Sequence, residues 1–221
     1  VYQRQLQPEL LVGENREQGE TIFENESIRL WTLDQSVAIL SFRSKMNSLS
    51  VGVIEGILKS VEIAEQSYQG LVIWQEKEPF CVGADLAGAA TALQAGDADS
   101  VRNMLKNFQK AVMALKYSSV PTIAAVRGMA LGGGCELAMH CSHVVAAHES
   151  YIGLVEVGVG LLPAGGGLKE MALRAQEWTR AGDAFALLQQ FYQNIAMGKV
   201  AGSAHEAREM GYLRPNDTIV M

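Results

Sequence analysis

Hydrophobic positions alternate along the chain between strand-like runs and helix-like runs. Two β-rich runs, IRLWTL (28–33) and VAILSF (37–42), are separated only by DQS, and this spacing predicts a β-hairpin. The short run GLVIWQ (70–75) lacks polar alternation, which is typical of a strand buried on both faces. The runs PTIAAV (121–126) and HVVAA (143–147) predict two further buried strands.

Between these runs, apolar residues recur at helical spacing. A helix is predicted over 49–66 and a second over 100–117, with Asp99 or Ser100 at its N-cap. After LLPAGGG (161–167) the pattern is helical to about residue 211. The predicted core-facing residues are Ile54, Ile57, Leu58 and Val61 in the first helix, and Val101, Met104, Leu105, Phe108, Val112 and Leu115 in the second.

Strands that alternate with helices predict βαβ crossovers and one α/β domain with a largely parallel sheet. Ligands on such folds bind at the carboxyl ends of the strands. We therefore expect the loops 80–88, 128–136 and 153–167 to lie together. Residues 1–26 are polar and aperiodic, and they are interpreted as a linker or tail that precedes a domain over 27–221.

Composition narrows the function. The 221 residues carry a net charge of −6, and no basic run forms the face that phosphate binding needs, so no nucleic-acid partner is expected. No stretch reaches membrane-spanning length, and the polar residues at the N-terminus lead us to expect no signal peptide there. The three cysteines have neither disulfide-framework nor zinc spacing, and His140 and His143 near them fit no zinc pattern. We expect reduced thiols, a cytoplasmic location and no metal.

The stretch GMALGGGCELAMHCSHVV (128–145) holds three consecutive glycines before a helix-like run whose first polar side chain is Glu136. N–H groups at the start of a helix stabilise negative charge, and glycine permits a close approach to the backbone. An oxyanion is favoured over a phosphate, because no GxxxxGK[ST] motif is present. A tightly packed strand–helix junction without a ligand explains the glycines equally well.

Two other loops strengthen the first interpretation. PFCVGADLAG (79–88) could present a second N–H, although alone it is better explained as a turn with Asp85 as an N-cap. Glu156 lies in the apolar run YIGLVEVGVGLLPAGGG (151–167), and a buried carboxyl has a raised pKa that suits acid–base catalysis. Glu136 and Glu156 beside one oxyanion hole could position a water molecule and transfer a proton.

These loops resemble the enoyl-CoA hydratase, or crotonase, superfamily. The matching segments are KMNSLSVGVIEGI (45–57), PFCVGADL (79–86), PTIAAVRGMALGGGCELAMHCSHVVAA (121–147), GLVEVGVGLLPAGGG (153–167) and, more faintly, SAHEAREMGYL (203–213). The resemblance implies a ββα superhelix with a largely parallel sheet. It also implies that the usual C-terminal helices, which help to close the acyl pocket and build oligomers, are missing from this sequence.

By the same resemblance, the N–H groups of Ala84 and Gly133 hold the thioester oxygen of an acyl-CoA. Glu136 would activate the water that attacks C3, and Glu156 would protonate C2, giving syn hydration of a trans-2-enoyl-CoA in fatty acid β-oxidation. No tightly bound cofactor is implied, since CoA enters as the substrate's carrier. The CoA-binding backbone would comprise Val82, Ala84, Asp85, Leu86, Ala87 and Gly133.

The sequence departs from the family pattern at two positions. Ala164 replaces a common glycine, a change we expect to be tolerated, and Ala87 replaces a common lysine, which we expect to weaken CoA phosphate binding. The long region 174–202 resembles hydratase parts of two-domain proteins that also carry a 3-hydroxyacyl-CoA dehydrogenase. Since the sequence begins at Val1 and ends in NDTIVM, we expect it to be a piece of such a protein. The full-length protein would carry a covalently attached dehydrogenase domain, and it would assemble as a homo-oligomer.

Two alternatives stay open at this point. A Δ3-Δ2-enoyl-CoA isomerase would use one glutamate on the same scaffold. A non-catalytic module would bind acyl-CoA for an attached dehydrogenase.

Overall fold

The computed structural model describes residues 19–85, 91, 94–179 and 182–221. In this part of the chain, seven strands form one sheet in the order β1 to β7. The strands are β1 (Glu20–Glu24), β2 (Ile28–Thr32), β3 (Ala38–Phe42), β4 (Leu71–Trp74), β5 (Thr122–Leu131), β6 (His143–Gly153) and β7 (Thr218–Val220). The helices are α1 (Val51–Ser67), α2 (Ala98–Lys116), α3 (Gly133–His140), α4 (Gly167–Trp178), α5 (Phe185–Ala196) and α6 (Ala204–Glu209).

Strand order follows chain order throughout the sheet. β1, β2 and β3 pair antiparallel, which confirms the predicted hairpin, and every pairing from β3 to β7 is parallel. Because each crossover adds its strand on the same side of the last one, the chain advances as a coil of strands and helices. The predicted α/β class with a largely parallel sheet is confirmed.

The first strand corrects one expectation. Residues 20–24, inside the stretch interpreted as a linker or tail, form β1 and pair with β2. Ile22 and Phe23 of β1 pack against the core, and Arg29 on β2 also donates hydrogen bonds to Thr21 and to the Gly19 carbonyl. The sheet therefore begins before residue 27.

β5 and β6 are also longer than the apolar runs predicted. They pair parallel along two stretches, with a register shift between Val126 and Gly128. The extension past Val126 carries the end of β5 directly to the three glycines. It thereby fixes where α3 begins.

The helices α1 and α2 bury most of the apolar residues predicted from their spacing, and the main difference lies at the start of α2. In α1, Ile54, Ile57 and Val61 are buried as predicted, whereas Leu58 is only half-buried. In α2 the fully buried residues begin at Phe108. The predicted core residues Val101, Met104 and Leu105 are only half-buried, although Met104 packs against the core. The N-cap of α2 is Asp97, which accepts the N–H of Ser100, and not Asp99 or Ser100 as predicted. Among the described helices, none combines the length and the hydrophobicity that a membrane span requires.

Candidate active site

The loop after β4 lies against the end of β5. Cys81 donates its N–H to Met129 O at 3.0 Å and accepts the N–H of Leu131 at 3.0 Å. A Cβ placed on Gly83 would lie 3.1 Å from the Gly133 nitrogen. The loops predicted to meet at residues 80–88 and 128–136 are therefore in contact.

Ala84 is oriented by a short parallel bridge to Leu49. Leu49 donates its N–H to Gly83 O at 2.8 Å and accepts the N–H of Asp85 at 3.4 Å. Because those two neighbours face Leu49, the N–H of Ala84 itself points to the opposite side of the segment. The backbone of Ala84 and that of Gly133 thus stand on adjacent segments.

The three glycines have separate structural causes. Gly132 adopts φ 54° and ψ −125°, a conformation open to glycine alone. A Cβ on Gly134 would lie 2.2 Å from the Cys81 carbonyl oxygen, so the helix could not approach the loop. The fold requires Gly132 and Gly134 whether or not a ligand binds, as the packing interpretation of the sequence held.

Gly133 occupies the first position of α3. Its N–H has no carbonyl in a preceding helical turn to bond to, and no hydrogen bond from it to another described residue is found. At the other end of α3, Arg174 and Arg214 donate to the Met139 carbonyl at 3.2 and 3.0 Å. These two cations lie at the negative end of the helix dipole. Gly133 lies at its positive end, where negative charge is stabilised.

Glu136 extends from α3 towards the backbone of residues 165–167, and the residue is 2% exposed. Its Oε1 accepts the N–H of Gly167 at 2.7 Å. Burial, together with the charge of Glu156, raises the pKa of Glu136 to about 7, against the opposing effect of the N–H groups of residues 165–167. A carboxyl with this pKa can release or accept a proton near neutral pH.

The loop that holds Glu136 needs its own glycines. A Cβ on Gly165 would lie 2.5 Å from Glu136 Oε2 and 2.2 Å from Phe108 Cε1, and one on Gly167 would lie 3.0 Å from Glu136 Oε1. The sequence predicts that this segment belongs to the site loop 153–167, but it assigns no role to the glycines that follow Ala164. The signal was present in the second run of three glycines, since close approach to a side chain is one reason for such a run.

Glu156 begins a 3-10 turn over Glu156–Val159. Both of its carboxyl oxygens are buried, and neither has a hydrogen-bond partner among the described residues. Its Oε1 lies 3.5 Å from the position of a Cβ on Gly132, so the carboxyl faces the start of α3. Burial raises the pKa of Glu156. A buried polar group without a partner is rare, and it indicates a place for a ligand or a water molecule.

Phe108 is a further residue of the site. Its ring would lie 3.4 Å from a Cβ on Gly133 and 2.2 Å from one on Gly165. The ring therefore fills the space between Gly133 and the loop 165–167. The helical pattern predicted Phe108 as a core residue, and it is buried. Its periodicity gave no sign that this part of the core is also the wall of the site.

The predicted CoA-contacting residues are placed only in part. Val82 is half-buried, and Ala84 and Asp85 are exposed, as backbone at the mouth of a site would be. Leu86 and Ala87 lie outside the described residues. Within the described ranges, no three His, Cys, Asp or Glu side chains converge in the manner of a metal site.

The raised pKa of Glu136 predicts a pH-dependent stability. A folded-state pKa above the unfolded value of 4.5 means that the folded protein loses stability as pH rises from about 4.5 to about 7. We expect Glu136→Gln to remove this loss and to be more stable than the parent at pH 8 by about 3 kcal/mol at most. Urea unfolding at pH 8 and pH 4.5 checks this. Most of the difference should disappear at pH 4.5, and the exposed Glu177→Gln should show no comparable change.

The chain matches the family model described as enoyl-CoA hydratase/isomerase over residues 32–211. It therefore belongs to the enoyl-CoA hydratase/isomerase family, the crotonase fold class. A crystal structure of an enoyl-CoA hydratase from Bacillus anthracis superposes with a TM-score of 0.72 at 25% identity, covering 88% of this chain and 70% of that one.

Curated relatives extend well beyond this chain. A protein described as "Probable 3-hydroxyacyl-CoA dehydrogenase" from Bacillus subtilis is 41% identical over 198 residues, which cover 90% of this chain and 25% of the relative. A "Fatty acid oxidation complex subunit alpha" from Idiomarina loihiensis is 31% identical over 170 residues, 73% of this chain and 23% of the relative. The chain thus spans about a quarter of the length of these relatives.

Proposed function

We propose that this chain is an enoyl-CoA hydratase that adds water to the double bond of a trans-2-enoyl-CoA. The observation that supports this most strongly is the pair of buried carboxyls, Glu136 and Glu156, both with raised pKa, near the N–H of Gly133, which bonds to none of the described residues. An isomerase needs only one carboxyl to move a proton from one carbon of the acyl chain to another. Two carboxyls beside backbone N–H groups that bind an oxyanion suit a hydration, in which water must be deprotonated and carbon must be protonated.

In the proposed reaction, Glu136 takes a proton from water as the water oxygen bonds to C3. The electron pair of the double bond moves through C2 to the thioester oxygen, which the N–H groups of Ala84 and Gly133 hold as an enolate. Glu156, whose pKa is raised by burial, then acts as the general acid and gives its proton to C2. Glu136 gains one proton and Glu156 loses one, so proton exchange between the carboxyls and solvent restores the site.

We propose syn addition, because Glu156 faces Gly132 at the start of α3 and lies close enough to Glu136 for its charge to raise the pKa of Glu136. The two carboxyls would then act on one face of the double bond. CoA would enter as the carrier of the substrate and no tightly bound cofactor would be needed. Free, buried Cys81, Cys135 and Cys141 suit a reducing compartment, and we place the reaction in the cytoplasm.

The relatives' names support a place in fatty acid oxidation. Hydration of an enoyl-CoA gives a 3-hydroxyacyl-CoA, which is the substrate class named for the Bacillus subtilis relative. We therefore propose that the product passes to a 3-hydroxyacyl-CoA dehydrogenase, covalently attached in the complete protein. A homo-oligomer remains a prediction.

Glu156→Gln tests the division of roles. We expect hydration of a trans-2-enoyl-CoA to fall by about 10²- to 10⁴-fold, because the amide cannot supply the proton to C2. Affinity for the CoA thioester should remain within about twofold, since the oxyanion donors are backbone groups. Steady-state assays check both values, with Glu177→Gln as the matched control on the exposed face of α4.

One experiment separates hydration from its alternatives. The chain is given a trans-2-enoyl-CoA and, in parallel, a 3-enoyl-CoA, and the products are identified by chromatography. A 3-hydroxyacyl-CoA from the 2-enoyl substrate supports the hydratase. Conversion of the 3-enoyl to the 2-enoyl compound without a hydroxylated product would instead show an isomerase, and saturable binding without turnover would show a binding module.

A further inference from the structure

His140, the last residue of α3, is completely buried behind Glu136. Its Nδ1 lies 2.7 Å from the backbone carbonyl oxygen of Glu136, and its Nε2 lies 3.2 Å from Lys169 Nζ. An ammonium group can only donate hydrogen bonds, so Nε2 accepts and the ring proton resides on Nδ1. His140 Nδ1–H therefore donates to the Glu136 carbonyl.

Charged groups from two other helices surround the imidazole. On α4, Lys169 and Glu170 approach Nε2, with Glu170 Oε1 at 3.6 Å. On α2, Lys116 binds the same Glu170 oxygen at 2.5 Å, and Lys169 lies 3.1 Å from it. Burial lowers the pKa of His140 to about 4, with the two lysines contributing in the same direction. The ring is neutral in neutral solution and is no proton donor to the reaction.

The same ring supports the loop that binds the Glu136 carboxyl. A Cβ on Gly166 would lie 2.7 Å from both Cε1 and Nε2 of His140, so the loop backbone lies directly on the imidazole. That loop supplies the Gly167 N–H to Glu136 Oε1. His140 thus contacts both the backbone carbonyl of Glu136 and, at Gly166, the loop that binds the Glu136 carboxyl.

We propose that His140 is a positioning residue for Glu136, holding the carboxyl and its N–H donors in register. The proposal rests on the proposed function for its catalytic consequence, whereas the contacts themselves do not depend on it. Lys169 and Glu170 fix the tautomer of the imidazole. Lys116 on α2 and Lys169 and Glu170 on α4 form a cluster that contacts α3 through His140.

The test compares His140→Met, which fills the space without hydrogen bonds, with His140→Asn, whose amide N–H can replace Nδ1–H. For His140→Met we expect kcat to fall at least about tenfold, since small displacements of catalytic groups are costly, with KM within about twofold. The acid limb of the pH profile of kcat/KM should shift to higher pH. Without the imidazole, the loop 165–167 would no longer hold its N–H groups against the Glu136 carboxyl, and these N–H groups lower the pKa of Glu136. His140→Asn should recover part of the rate, and the exposed His205→Asn should change nothing.

A second readout does not need turnover. The pKa of Glu136 is obtained from urea unfolding against pH, as the difference between the parent and Glu136→Gln, and again in the His140→Met background. A higher pKa in that background supports positioning. An unchanged pKa and an unchanged pH profile, with a rate loss that only follows loss of folded protein, would overturn it. An inactive parent whose Glu136 pKa still depends on His140 would refute the hydratase and leave the positioning role intact.

Discussion

Glu136→Gln is expected to slow hydration of a trans-2-enoyl-CoA by about 10²- to 10⁴-fold, the contribution typical of a general base. The amide oxygen of glutamine can still accept the Gly167 N–H, so the loop at residues 165–167 keeps its contact. What is lost is the group whose pKa of about 7 lets it take a proton from water. The loss should fall on kcat, since no step of thioester binding uses this carboxyl.

Steady-state kinetics of the parent and the variant measure this effect, with thioester affinity followed separately by calorimetry. Glu177→Gln is the matched control, because it makes the same change on an exposed carboxyl. A Glu136→Gln variant with the parental kcat would remove Glu136 from the reaction. A variant with parental kcat but weakened affinity would assign the residue to binding instead.

Gly134→Ala is expected to lower the free energy of unfolding by about 3 kcal/mol or more, the upper range for overpacking a core. The added methyl group would lie 2.2 Å from a backbone oxygen, that of Cys81, and 2.9 Å from its carbonyl carbon. No rotation of a side chain relieves that contact. Either α3 moves away from the loop or the bridge between Cys81 and Ala130 breaks.

Gly158→Ala is the control for this prediction. Gly158 lies exposed in the 3-10 turn, and nothing approaches the position of its Cβ within 4 Å. Its replacement should change stability by no more than about 0.5 kcal/mol. Equal urea midpoints for the two variants would contradict the close approach of α3 to the loop at Cys81.

Much of the fold was predictable because it depends on local periodicity. The hairpin of β2 and β3, the buried strands β4, β5 and β6 and the helices α1 and α2 follow from the spacing of apolar residues. Local patterns failed where pairing partners decide the outcome. β1 lies in a largely polar stretch and is placed by its pairing with β2 and by the packing of Ile22 and Phe23 on the core. β5 continues past its predicted run because β6 runs beside it.

The site was predictable to the extent that its signals are unusual in sequence. Three glycines before a lone acid, and a glutamate in an apolar run, located Glu136 and Glu156. The reason for those glycines was only half predicted, since Gly134 is required by the Cys81 carbonyl. The sequence predicts Phe108 only as a core residue, and for His140 it shows only that the spacing does not fit a zinc site. Their contacts with Gly165 and Gly166 arise from tertiary packing, which no spacing along the chain encodes.

The most direct test of the two-carboxyl site is the loss of conjugated-thioester absorbance when this chain is mixed with crotonyl-CoA. Parent, Glu136→Gln, Glu156→Gln and the double variant are compared at equal folded concentration. We expect a rapid loss with the parent, strongly slowed in each single variant and in the double variant, together with formation of 3-hydroxybutyryl-CoA. A parent that binds crotonyl-CoA but leaves its absorbance unchanged, or single variants as fast as the parent, would contradict the assignment.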